Sequence, residues 1–340
     1  MTDPHPITDL QNAVNFSHPG LGALAAMSVI AAKARQCLIN VSPPGCGKSA
    51  VTDWLMATLP DAYKKGSMTK SSLKRYEEQM NGFTGQLLFD DLGAIDTEWG
   101  RIQTMVTMAE MAYGHFMAKD NNDMALDIDD FYGGIVLNIQ PPVLKEAMGH
   151  SSWHSNLADK SIRYYHLRRA VAPNRDRLDV PIDWGLEFND VDDYSGDSDL
   201  WQDILKIGFE QWTRARAFEH CGDLLKAVAA LGSNPQPGEL EVEILHALML
   251  PMTVEMEVVE MAGFGEKAAL HVGLLYLLTE FASYPSVTYA VIAQDMRIRE
   301  RKVHQILENM TEWFEKLGTN PVRLQPTARL KQVLDRAGVL

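Results

Sequence analysis

Ser42-Pro43-Pro44-Gly45-Cys46-Gly47-Lys48-Ser49 combines the residue types and spacing that bind phosphate. Its glycines let backbone N–H groups turn inward around an anion, and a helix opening at the loop's end adds the positive end of its dipole. Lys48 would reach the β- and γ-phosphates of a nucleotide, and the Ser49 hydroxyl would hold Mg2+. Pro44, Gly45, Cys46, Gly47, Lys48, Ser49 and Ala50 form the candidate cofactor-binding set. Ser42 stands where such loops usually begin with a glycine.

Phosphate binding alone is not hydrolysis, which needs an acid on the metal and a group that activates water. Gln86-Leu87-Leu88-Phe89-Asp90-Asp91 is an apolar run ending in two carboxylates. A strand of this kind buries its body and delivers its acids at the C-terminal tip, where α/β sheets bind ligands. Asp90 would join Ser49 around Mg2+, and Asp91 would orient water as general base. A third apolar run, Gly134-Ile135-Val136-Leu137-Asn138-Ile139, carries one amide. If its strand neighbours the loop strand, Asn138 falls by the γ-phosphate and the attacking water. The competing reading is an Asn that starts a turn before Pro141-Pro142.

The elements that must position these groups follow from the pattern of apolar runs. Strands are predicted at 37–41, 86–90, 134–139 and 162–167, alternating with helical stretches, which implies a parallel α/β sheet. Residues 1–35 read as a polar arm followed by an alanine-rich helix over 20–35, and 36–175 as the nucleotide domain. Nine Asp or Glu residues fall in 173–200, so 176–200 reads as an acidic linker or surface excursion. Residues 201–265 read as a helical lid and 266–340 as a C-terminal module.

Composition narrows the class. The chain has 340 residues and 46% hydrophobic content, enough for two or three domains. Its three cysteines show no metal or redox spacing, and the N-terminus lacks a secretory pattern. Apolar stretches at 21–32 and 268–278 are too short for a membrane span. A cytoplasmic protein with no membrane contact is the expectation. The formal net charge of −14 disfavours a generic nucleic-acid coat and leaves room for a locally basic module.

The loop, the Asp90-Asp91 pair and Asn138, in this order, resemble Walker A, Walker B and sensor 1 of the AAA+ ATPases, over roughly residues 20–230. The resemblance implies a P-loop NTPase parallel sheet, an all-α lid, ATP and Mg2+ as cofactors, and a homo-oligomer, a ring or filament and typically a hexamer. The family usually has Asp-Glu at Walker B, so Asp91 is one methylene short. It also implies a trans-acting arginine before the fifth strand. The family's Asp-Arg-Phe pattern points to Lys160 there, but Arg163 is preferred because a guanidinium spans two phosphate oxygens. Sensor 2 on the lid helix falls best on Arg216, with Arg214 second. The local style is similar to the MoxR branch and its phage-borne relatives.

Residues 284–298 read as a short helix and turn. A longer amphipathic helix follows over 299–317, with Val303, Ile306, Leu307, Met310, Trp313, Phe314 and Leu317 on one face. Residues 322–326 would form a wing. This module looks like a winged helix with 299–315 as recognition helix. Arg297, Arg299, Arg301 and Lys302 at its start are the candidate DNA contacts. Such modules also dock proteins. The leading expectation is an ATPase of DNA transactions: replication initiation, helicase loading or mobile-element function. The rivals are a MoxR-like remodeller of a protein partner and a nucleotide-gated scaffold with weak hydrolysis.

Overall fold

The computed structural model describes residues 5–42, 45–59, 61–112, 116–119, 125–128, 130–153, 157–166, 176–261, 287–295, 299–308, 314–318 and 323–328. A central sheet is built from β1 (Cys37–Val41), β2 (Ala62–Lys65), β3 (Gln86–Phe89), β6 (Gly134–Ile139) and β7 (Ile162–Tyr165). Their order is β2-β3-β6-β1-β7, and every pairing is parallel. All five residues of β1 and all six of β6 are buried, as expected of strands covered on both faces.

The pleat sorts side chains between two cores. Cys37, Ile39, Val41, Leu87, Phe89, Ile135, Leu137 and Ile139 face α4 (Glu98–Met111) and α5 (Pro141–Met148). Leu38, Leu88 and Val136 face α2 (Gly22–Lys33) and α3 (Lys48–Thr58). That second core continues into α6 (Asp199–Phe209), α7 (Arg214–Leu231) and α8 (Glu239–Met261), so the region read as a lid shares a core with the sheet. A hairpin of β4 (Phe116–Lys119) and β5 (Ala125–Ile128) lies between α4 and β6 in the chain. Among the described residues, no helix is long and apolar enough to cross a membrane.

Three segments differ from their sequence reading. Residues 6–17, within the segment read as a polar arm, form α1 (Pro6–Ser17), which buries Ile7, Leu10 and Val14 against α2. The His5 ring nitrogen accepts from Ile7 N–H and starts this helix. The acidic segment is a strap: Leu178 and Val191 are buried, and the Trp54 indole donates to Val180 O at 2.8 Å. Gly185 has φ +54°, and a Cβ there would stand 2.0 Å from Ala230 O, so the strap seats on α7 only with glycine. In the third case a predicted helix gives way to a strand. The helix is described over Glu300–Glu308, and β9 (Phe314–Leu317) pairs antiparallel with β10 (Arg323–Pro326). The helical periodicity runs on through Phe314 and Leu317 because the backbone pairing of β9 with β10 leaves no trace in it; Gly318, just after β9, has φ +73°. β8 (Val287–Thr288) completes this three-stranded sheet, beside α9 (Tyr289–Asp295) and α10 (Glu300–Glu308). The apolar stretch at 268–278 lies outside the described residues.

A candidate nucleotide site at the strand tips

β1 ends at Val41 and α3 begins at Lys48, so the loop sits on the C-terminal edge of the sheet. Gly45 and Gly47 hold φ of +81° and +82°, a conformation that favours glycine. At Gly47 space is also short, because a Cβ would meet the Leu21 side chain at 2.4 Å. Gly47 is the residue before the first turn of α3 and makes no side-chain cap. The first N–H groups of α3 therefore lack the capping acceptor that a Ser or Asp would bring. Pro44 lies outside the described residues, Cys46 is buried, and Ser49 is exposed.

Lys48 is 9% exposed and donates from Nζ to Ser42 O. Burial lowers its pKa below the usual lysine range, while Cys46, Asp91 and Asp90 oppose that shift. A buried ammonium beside a left-handed glycine turn is suited to an anion.

Asp90 and Asp91 follow β3 at the same edge, two strands away, with β6 between. Asp90 Oδ2 lies 2.8 Å from Lys64 Nζ on β2, and Lys64 lies 2.8 Å from Asp53 Oδ1 on α3. Asp90 Oδ1 is buried and has no partner among the described residues. Ser49 and Asp53 are one turn apart on α3 and share a face. The hydroxyl, the orphaned carboxylate oxygen and the hard-oxygen chemistry fit Mg2+. Asp91 Oδ1 accepts from Gly93 N–H at 2.8 Å and caps a single turn, Leu92–Ala94.

Asn138 is on the strand beside β1, as expected, in register with Asn40. It is not at the tip. It is fully buried, accepts from the Asn40 amide at 3.1 Å and donates to Thr52 Oγ1 at 2.6 Å. It ties β1, β6 and α3 together beneath the loop. The polar side chain at the tip is Gln140, two residues and about 7 Å further along the same face. Its Nε2 stands 3.5 Å from where a Cβ on Gly93 would lie, next to the Asp91 turn. Counting by two from Asn138, the polar residue inside the apolar run, reaches Gln140.

Arg163 and Arg216 both have partners within the chain. Arg163 is 7% exposed; its guanidinium donates to Ala158 O at 3.1 Å and to Gln211 O, and lies 5.2 Å over the Trp153 ring. Lys160 is half-buried in the single turn Ala158–Lys160. Arg216 pairs with Glu219 on α7. Thr213 N–H donates to Asp159 Oδ1 at 3.0 Å, and the His220 ring contacts Asp159 O and Gln36 Oε1. Gln36 and Asp159 precede β1 and β7, so the start of α7, with Arg214 and Arg216, packs at the sheet edge opposite the loop. β1 puts about 17 Å between those edges. Burial lowers the His220 pKa, and the Asp223 carboxyl beside Gln36 is pushed up to about 6, mainly by burial.

In the C-terminal module Arg299 and Arg301 are exposed and Lys302 is half-buried, while Val303 and Leu307 are buried. The basic groups thus cluster at the start of α10, with Arg301 and Lys302 off its apolar face. The Tyr289 and His304 rings stack at 3.8 Å, joining α9 to α10. Arg297 lies outside the described residues.

No protein-family model matches the sequence, and no curated protein matches it. Among solved structures, the apo A form of the NrS-1 C-terminal region is similar at a TM-score of 0.30 and 9% identity, over 96% of this chain and 76% of that one. A likeness at that level bears on neither fold nor function.

Proposed function

We propose that the chain is an ATP-binding and ATP-hydrolysing P-loop ATPase of the AAA+ kind, which assembles with copies of itself and drives a DNA transaction through its C-terminal module. The observation that carries this reading is the left-handed turn at Gly45 and Gly47, with buried Lys48 and the Asp90-Asp91 pair at one sheet edge. The N–H groups of the loop and α3, with Lys48, would cradle the phosphates. Mg2+ held by Ser49 and Asp90 would neutralise charge on the phosphate oxygens. Asp91 would accept the proton of the attacking water, and Gln140 would help hold that water. Lys160 remains the candidate that reaches a neighbouring subunit's nucleotide. The strand pairing of β8, β9 and β10 beside α9 and α10 supports a winged-helix reading of residues 287–328.

The test is ATP turnover measured with and without single- and double-stranded DNA, beside size-exclusion chromatography in ATP and ADP. Turnover should rise with DNA, and the particle should enlarge in ATP. DNA affinity should fall steeply with salt. The double variant Arg299→Ala/Lys302→Ala should bind DNA about tenfold or more weakly and flatten the log–log salt slope by about 2. Turnover indifferent to DNA, with no DNA binding at low salt, would refute the DNA reading and leave a MoxR-like protein remodeller.

A second reading, a nucleotide-gated scaffold with weak hydrolysis, is favoured by the Asp91 carboxylate being folded onto Gly93 N–H. Asp91→Asn decides between them. On the hydrolytic reading it lowers turnover about 10²-fold or more while ATP affinity holds, the usual loss when a general base goes. Unchanged turnover would mean that Asp91 is not the base.

A further inference from the structure

Lys64 belongs to the edge strand β2, yet its ammonium is shared by two carboxylates from two other elements. Nζ is 2.8 Å from Asp90 Oδ2 at the end of β3 and 2.8 Å from Asp53 Oδ1 on α3. Only one Asp90 oxygen is satisfied this way, and the other is buried with no partner among the described residues. The lysine is one-third exposed and Asp53 more than half, so neither contact is locked in the interior. Lys64 can leave Asp90 and remain ion-paired through Asp53.

We infer that Lys64 is a resident counter-ion of the metal-side carboxylate, held at Asp90 Oδ2, whose charge opposes Mg2+ at Oδ1 and which shifts toward Asp53 when the metal arrives with nucleotide. The inference rests on the nucleotide reading above. A divalent cation and an ammonium on one carboxylate repel each other, so the lysine and the metal compete. The side chain of Lys64 then sets how much Mg2+ the site requires, and Asp53 sets how readily the lysine yields. Lys64 is a positioning residue: it touches Asp90 and no reacting atom.

The experiment titrates Mg2+ against the full-length chain holding a fluorescent ADP analogue and reads the Mg2+ midpoint of the fluorescence change. A parallel titration follows Mn2+ by electron paramagnetic resonance. Lys64→Met should lower both midpoints about three- to tenfold, the scale of a partly exposed ion pair. Lys64→Gln, checked for folding by circular dichroism, should do the same and guards against a packing artefact. Asp53→Asn, which leaves Lys64 only Asp90 to pair with, should raise the midpoints. Midpoints within twofold of the parent for both Lys64 variants, or Asp53→Asn moving the same way as Lys64→Met, would overturn the inference and leave the nucleotide reading standing. Failure of the parent chain to bind the ADP analogue would remove both.

Discussion

Lys48→Ala is expected to bind ATP about 100-fold more weakly than the parent chain and to show no measurable turnover. The estimate follows from losing one or two charge-assisted hydrogen bonds to phosphate, each about 1.5–3 kcal/mol. The fold should survive, because the ammonium is already desolvated by burial and its bond to Ser42 O is replaceable by water entering the loop. Isothermal titration calorimetry with ATP, beside a thermal melt, separates the two effects. Lys48→Met keeps the length of the stem and should lose affinity equally. Normal turnover in either variant would refute the site.

Arg163→Ala is expected to destabilise the chain by about 3–5 kcal/mol, seen as a lower urea midpoint. It removes the donors that satisfy Ala158 O and Gln211 O in the interior and the stacking on Trp153. Arg163→Lys should recover little, since an ammonium neither forks between two carbonyls nor stacks. A trans-acting arginine would behave in the opposite way. Its loss would spare stability, and mixing Arg163→Ala chains with Lys48→Ala chains would restore some hydrolysis. Parent-like stability together with restored activity on mixing would return Arg163 to the subunit interface.

The sheet was legible because parallel strands are apolar throughout and short. The span at 134–139 coincides with β6, and the span at 37–41 with β1. β2 escaped because Tyr63, Lys64 and Lys65 are polar or amphipathic on an edge that needs no continuous apolar run. The loop was legible because glycine, lysine and serine at fixed spacing answer to one local geometry. The long-range partners were not. Lys64 meeting Asp90, Asn138 meeting Thr52 and Arg163 meeting Gln211 each depend on how elements far apart in the chain are packed. Residue type and position single out Asn138 and Arg163, while their burial and partners come from packing. Gln140 was passed over although it shares a face with Asn138.

β1 is gripped at both ends. Just before it, Gln36 bonds to Asp223 and His220 of α7; just after it, Ser42 receives Lys48. An extended strand held in a sheet neither shortens nor buckles, so it works as a pushrod. A tilt of α7 against the lower edge would press first on Gln36, and β1 is the shortest path from there to Ser42 and Lys48, about 20 Å away. The helices after the strap are thus bonded to the strand that ends at the loop.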